Sequence, residues 1–522
     1  MIKVRVGAAC VAALVMGSVA FALPAEAGPG SCDTRVNNNH QKLLECVTLE
    51  GVREHQQALQ DIADANGGTR ASGTPGYEDS VDYVIETMTA AGYNVTTVEF
   101  PFVFVPPPTL IQLTPVQAEY ATGAFTGSFS GDVTAAVVPI DINLVPPRAN
   151  TSGCDGAYTE AAVGAPILED PTGPDDFVGF PVGAIALIQR GGCSFALKAH
   201  NAEAAGAGAV IIFNQGDTPA RSVTFVGNAN APAGSDVDAL TILVVGASFD
   251  DGVALSQPGS TAHVLAPPAE NHIIENVIAE SKWGDPNNVV MAGAHLDSVT
   301  AGPGINDNGS GSATLLEVAE QMAKVRPRNM VRFAWWGAEE AGLVGSTAYV
   351  NGLSQAERDR IALYLNFDMV GSPNYVFFIY DGDNSDGVGA GAGPEGSAQI
   401  EETFERYYAS VGEQFKGTDF TGRSDYGPFI AVGIPSGGLF TGAEGIKTAD
   451  EAAIWGGTAG QQYDPCYHMA CDTFANNNDH ALDVNSDGVA YAVLQYAMNT
   501  SDVNGVRGKG NFQLPAVQSE AA

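Results

Sequence analysis

The stretch MAGAHLDSVTAGPGIND, residues 291–307, decides the reading of this chain. Val289-Val290-Met291-Ala292 has the continuous apolar character of a buried strand, with Gly293-Ala294-His295-Leu296-Asp297 as its outgoing end. A Gly-rich turn then presents Asp307 and Asn308 just before GSGSATLLEVAEQMAKV, an apolar-periodic helix that opens on Gly and Ser. In open α/β sheets chemistry collects outside the carboxyl ends of strands, which is where His295 and Asp307 fall. An H-x-D at a strand end also describes an ordinary solvated loop, so the reading depends on what the rest of the chain brings.

Downstream, the α/β rhythm continues: helix 309–325, strand 330–336, helix 340–352, strand 361–369. The strand NMVRFAWW delivers Gly337-Ala338-Glu339-Glu340. Adjacent acids there are costly unless something positive neutralises them, although acids also favour a helix start. The apolar strand IALYLNFDMVG carries one charge, Asp368, near its end. YDPCYHMACDT places Tyr467 and His468 in a loop. Each signal alone is weak. Together His295, Asp307, Glu340, Asp368 and His468 supply two imidazoles and three carboxylates, the N/O set that suits zinc. Two such ions roughly 3.5–4 Å apart share a bridging carboxylate and hold a water between them. Glu339, beside a ligand, is then free to act as general base.

Upstream, KLLECVTLEGVREHQQALQDIADA is helix-like within 38–66, SVDYVIETMTAAGY is an amphipathic helix, and NVTTVEFPFVFV is a strand ended by Pro106-Pro107-Pro108. From 109 to 268, strands rich in Val and Thr alternate with Gly/Pro/Asn/Asp turns, and Pro267-Pro268 closes the segment. Within it, GAIALIQRGGCSFALKAHNAEAAGAGAVIIFNQ reads strand, Gly turn, helix, strand, and resembles the protease-associated (PA) domain. That resemblance implies a module that shapes access or binds partners. Lys198 and His200, on its helix, read as solvated. The chain thus divides into a signal peptide (1–27), a discontinuous domain (38–108 and 269–503), an insert (109–268) and a loose tail (504–522).

The first 27 residues combine Lys3 and Arg5, an apolar run and Ala25-Glu26-Ala27, the pattern of a cleaved secretory signal. No later stretch is long and apolar enough to span a bilayer, and Cys10 lies inside the apolar run, where a lipid anchor is not expected. Cleavage leaves six cysteines in an oxidising compartment, which allow fifteen connectivities. Sequence proximity favours Cys32–Cys46, Cys154–Cys193 and Cys466–Cys471. The 60 acids against 23 Lys+Arg give a formal net charge of −37, which repels phosphate backbones and excludes nucleic acid as a partner.

The runs NGGTRASGTPGYEDSVDYV, AHLDS…GINDNGSG, WWGAEEAGLVGS, LNFDMVG, GRSDYGPF, GGLFTGAE and DPCYHMACDT together resemble the secreted co-catalytic di-zinc aminopeptidases of the leucyl aminopeptidase/aminopeptidase Y type. The resemblance implies an α/β fold: a mixed, mostly parallel central sheet flanked by helices, with a β-rich PA insert. It implies one zinc on His295, Asp307 and Asp368, and another on Asp307, Glu340 and His468, with Asp307 bridging. Glu339 matches the general base, Asp297 the carboxylate behind His295, and Tyr467 the donor to the tetrahedral oxyanion. Met369, Arg423 and Phe440 match the pocket for the first side chain, and Asp307–Asn308 a cis peptide. Asp483 and Asp487 match a calcium-binding pair, but the helping N-terminal Asp is not evident, so a solvated helix start competes. The expectation is a secreted, monomeric aminopeptidase acting on peptides with a free N-terminus and a large apolar first residue. Rival expectations are a carboxypeptidase or glutaminyl cyclase of the same fold, or an inactive binding protein.

Overall fold

The computed structural model describes residues 32, 34–164, 173–231, 234–389 and 391–505. The signal sequence and residues 506–522 of the tail lie outside them. Among these residues fifteen strands form two sheets. In chain order they are β1 (Asn94–Phe104), β2 (Thr109–Thr114), β3 (Ala118–Tyr120), β4 (Gly131–Ile140), β5 (Ile185–Gln189), β6 (Ala209–Phe213), β7 (Leu243–Ala247) and β8 (Thr261–Ala266). There follow β9 (Glu270–Glu280), β10 (Asp285–His295), β11 (Asn329–Trp336), β12 (Ile361–Phe367), β13 (Phe378–Tyr380), β14 (Lys416–Thr418) and β15 (Ser436–Phe440).

One compact unit takes the described residues up to Arg70, Asp79–Val98, and those from Asn276 onward. Its sheet runs β1-β9-β11-β10-β12-β15-β13-β14, parallel from β11 through β10 and β12 to β15, with antiparallel pairs β9/β11 and β13/β15. This is a mixed, mostly parallel sheet with helices, the expected class. Register sets the chemistry: His295 pairs with Trp336, and Gly293 with Asn366, so β10, β11 and β12 finish along one edge. Under that edge Trp336, Tyr364, Phe429 and Tyr349 pack together, with Tyr364 and Phe429 stacked at 3.9 Å. Gly293 is needed there, because a Cβ would stand 2.5 Å from the Tyr364 hydroxyl and 2.6 Å from the Trp336 ring nitrogen.

The other unit holds Ala71–Glu78 and Glu99–Glu275, with a second sheet ordered β3-β2-β8-β4-β5-β6-β7. The units divide within β1 and β9 rather than at the proline runs. The helix Phe195–Ala204 packs in this unit, and it corrects the reading of its polar residues: Lys198 and His200 are buried, not solvated. The Lys198 ammonium donates to the Ser152 carbonyl and lies 3.6 Å from Cys154 Sγ. Burial lowers it to about 7, against the pull of Asp176, Glu160 and Asp141.

Three elements differ in detail from the sequence pattern. The segment 38–66 is two helices, His40–Leu44 and Leu49–Ala65, because the Thr48 side chain accepts the Gly51 N–H and starts the second. The helix expected over 340–352 begins only at Val344, after a turn in which Ala338 (φ 52°) and Leu343 (φ 59°) are left-handed. The strand expected over 361–369 stops at Phe367, leaving Asp368 just beyond it. All three expected disulfides are present. Among the described residues no helix is long and apolar enough to cross a membrane.

Candidate metal centre

Strand ends and two loops bring the five candidate ligands together. His295 closes β10, Glu339 and Glu340 occupy the turn after β11, and Asp368 follows β12. Because that turn precedes its helix, the two acids are not spent on a helix N-terminus, which removes the bland reading of the pair. His295 Nε2 lies 3.2 Å from Asp307 Oδ1 and 3.3 Å from Asp368 Oδ1. His468 Nε2 lies 3.2 Å from Asp307 Oδ2 and 3.0 Å from Glu340 Oε2. The two oxygens of Asp307 therefore face two different imidazoles.

The donor set fits zinc. Two ligand atoms each 2.0–2.1 Å from a tetrahedral ion stand about 3.3 Å apart, and the pairs above span 3.0–3.3 Å. Glu339 Oε2 is farther, 4.0 Å from His295 Nε2, which places it beside the cluster. Asp368 Oδ1 and Glu340 Oε1 are buried with no hydrogen-bond partner, so each has a lone pair to give. Burial opposes charge on His468, yet its hydrogen bonds to Asp307 and Glu340 prevail and push it up to about 10. Glu340 is pushed up to about 7, by burial and then by Asp307. Burial, with Asp368 and other acids, holds Glu339 well above the usual carboxylate range despite His295.

A polar scaffold fixes these groups. His295 Nδ1 meets the Asp297 backbone carbonyl at 3.0 Å, while the Asp297 carboxylate is 3.6 Å away and accepts the Glu339 N–H at 3.2 Å. Asp297 thus ties His295 to the acidic turn. The Asp307–Asn308 peptide is cis. Sequence reasoning passed over three supports, although each lies in a run quoted for the family likeness. Ser424 donates its hydroxyl to Asp368 Oδ2 at 2.6 Å. Asp472 accepts the backbone N–H groups of Asn306 and Asp307. Arg70 is fully buried and donates to the carbonyls of Leu296, Pro303 (2.9 Å) and Gly304 (2.7 Å). An Arg set among the Gly, Thr and Ser of a loop-forming run was the available signal.

The cluster opens into a cavity of about 700 Å³ whose lining includes Met369, Phe440, Phe378, Tyr426 and Tyr467. Arg423 also lines it and pairs with Glu444 at 2.7 Å. An Arg423 N–H donates to the Tyr467 hydroxyl at 3.4 Å, and the Tyr467 ring stacks on His468 at 3.8 Å. The structure thus brings together every expected catalytic, pocket and zinc residue. Asp483 and Asp487 stand apart on the helix Asp479–Met498; among the described residues no third His, Cys, Asp or Glu closes on them. Asp487 is half-buried, and desolvation with Asp483 nearby pushes it up to about 8.

A mixed α/β sheet carries this cluster just outside its strand ends. The Peptidase family M28 model matches residues 276–493, and the PA domain model residues 133–255. An aminopeptidase of Pseudomonas aeruginosa is 48% identical over 472 residues, 88% of this chain and 83% of that protein. A probable lipoprotein aminopeptidase of Mycobacterium tuberculosis is 43% identical, with 88% and 87% covered. Among solved structures, the aminopeptidase from Aneurinibacillus sp. strain AM-1 has a TM-score of 0.54 at 28% identity, covering 88% of this chain and 96% of that one. A zinc aminopeptidase from Bacillus subtilis has a TM-score of 0.55 at 26% identity, with 85% and 94% covered. The chain belongs to peptidase family M28 and carries a PA domain.

Proposed function

We propose that this chain is a secreted di-zinc aminopeptidase that releases large apolar residues from peptides with a free N-terminus. One observation carries the two-ion reading: Asp307 offers one oxygen to the neighbourhood of His295 and Asp368, the other to that of His468 and Glu340. His295, Asp307 and Asp368 would hold one zinc, and Asp307, Glu340 and His468 the other. When bound, the metal supplies Lewis acidity that lowers the pKa of water and polarises a carbonyl. Glu339, beside the ligands and not among them, takes the proton of the attacking water and passes it to the leaving amine. The Tyr467 hydroxyl donates to the developing oxyanion. Asp297 orients His295 and, through the Glu339 N–H, the base.

Met369 and Phe440, with Phe378 beside them, give the first side chain apolar walls. The carboxylates at the cavity's end suit a substrate α-ammonium. A carboxypeptidase needs a free cation for the terminal carboxylate. Among the described residues lining the cavity, Arg423 is the one Lys or Arg, and Glu444 occupies it. A glutaminyl cyclase needs one metal, and a binding protein needs no base. The segment 109–268 is assigned as the PA insert, and 38–108 with 269–503 as the peptidase domain. Three disulfides and the apolar leader support secretion, and we read the chain as a monomer.

The test is zinc content together with turnover of Leu-Ala-Ala-Phe and its N-acetylated form, followed by mass spectrometry. Two zincs per chain and cleavage of only the free peptide are expected. Equal cleavage of the blocked peptide, or stepwise loss from the C-terminus, overturns the reading.

A further inference from the structure

With 60 acids against 23 Lys+Arg, an uncommitted cation is scarce on this surface. Several described cations are paired, such as Arg332 with Glu280 and Lys416 with Glu451, and Arg70 and Lys198 are buried. Lys282, Lys324, Arg326 and Arg328 differ. All four are exposed, and none of the ion pairs found among the described residues engages them. Of the acids close by in sequence, Glu280 holds Arg332, whereas Asp285 accepts the Asn287 N–H and keeps its charge.

Topology gathers these four residues. Lys282 lies with Trp283 in the turn from β9 to β10; the other three lie on the segment that enters β11. Both stretches precede strands that finish at the metal cluster. At about 3.3 Å per residue, β10 and β11 put roughly 25–35 Å between the basic residues and the cavity. Trp283 is 53% exposed, with the Arg326 guanidinium 4.7 Å over its ring. A groove of about 760 Å³ is lined by Trp283, Lys324, Arg326 and Arg328, with the apolar Val36 and Met498.

We propose that this groove docks an anionic, uronate-bearing polysaccharide. The cations suit carboxylates, and Trp283, Val36 and Met498 suit the apolar faces of sugar rings. A concave groove takes a chain rather than a flat lipid surface. One charge per sugar is also sparser than the duplex value of one per about 1.7 Å, so the acidic remainder of the surface opposes it less. The chain's own tail is a poor occupant, because residues 506–522 carry Arg507 and Lys509 against Glu520 alone. Docking at this end would hold the enzyme on a matrix with its catalytic cavity open.

The test uses the full-length secreted protein and sodium polygalacturonate in 0.15 M salt, where screening acts over about 8 Å. Wild type should bind polygalacturonate and not neutral dextran. The Arg326→Ser/Arg328→Ser variant should bind at least tenfold more weakly, while hydrolysing Leu-p-nitroanilide at the wild-type rate. Absence of wild-type binding, or equal binding by the variant, overturns the proposal. So does equal or tighter binding to phosphatidylglycerol vesicles, which would assign the groove to a membrane. None of these outcomes bears on the zinc assignment, which the turnover control reads separately.

Discussion

The carboxylate of Asp472 accepts the backbone N–H of Asp307 at 2.9 Å, and through its other oxygen that of Asn306 at 2.8 Å. The loop that presents His468 therefore also holds the residue that His468 faces. Asp472→Asn would set an NH₂ against one of these backbone donors. Zinc retention and kcat should fall about 10–100-fold, the usual cost of losing a group that orients a ligand. Metal analysis after dialysis and Leu-p-nitroanilide turnover measure both, and native values in each would remove Asp472 from this role.

Glu339→Gln should keep both zincs and lose turnover. Gln cannot accept the proton of water, and its side chain is nearly isosteric in this buried turn. General-base catalysis contributes roughly 10²–10⁴-fold, and the loss should reach at least that range. A purified variant with near-native kcat would show that the base lies elsewhere.

Asp307→Asn should lose more metal than Asp297→Asn. The first removes charge from a carboxylate facing both imidazoles, whereas Asp297 meets His295 chiefly through its backbone carbonyl, which the substitution leaves in place. Zinc stoichiometry of the two dialysed variants decides, and equal contents contradict the bridging assignment.

Lys198 gives a pH signature in the other unit. Its folded value is about 7 against 10.5 for the free side chain. Between those limits the unfolded chain binds the proton and the folded one does not, so this group makes stability rise with pH from 7 to 10.5 and stay flat below. Lys198→Met should abolish that slope. Denaturant midpoints of the two proteins at pH 6, 7.5, 9 and 10.5 report it, and parallel curves would mean that Lys198 stays charged on folding.

The path from sequence to site was legible where local pattern and chemistry coincide. Apolar strands β10, β11 and β12 announce themselves, and the polar residues at their ends are few enough to be suspects. What stayed hidden depends on contacts distant in sequence. Lys198 looked solvated because a lysine on a short helix usually is; its burial follows from the Ser152 carbonyl and acids over 20 residues away. Asp472 and Ser424 read as loop residues because their partners, the Asp307 N–H and the Asp368 carboxylate, are reached only after folding. The late start of the helix at Val344 was invisible too, since Ala338 and Leu343 carry no sign of left-handed backbone.

Arg70 and Asp472 grip the same loop, 296–307, from opposite ends of the chain. A ribosome making this protein must therefore reach Asp472, long after Arg70 and the loop itself, before that loop can be clamped on both sides. Until then the nascent polypeptide carries the ligands without the grip that sets them. Activity thus waits for Asp472, whatever else has already folded. A protease cut between the two clamps leaves a working enzyme only if both fragments stay together.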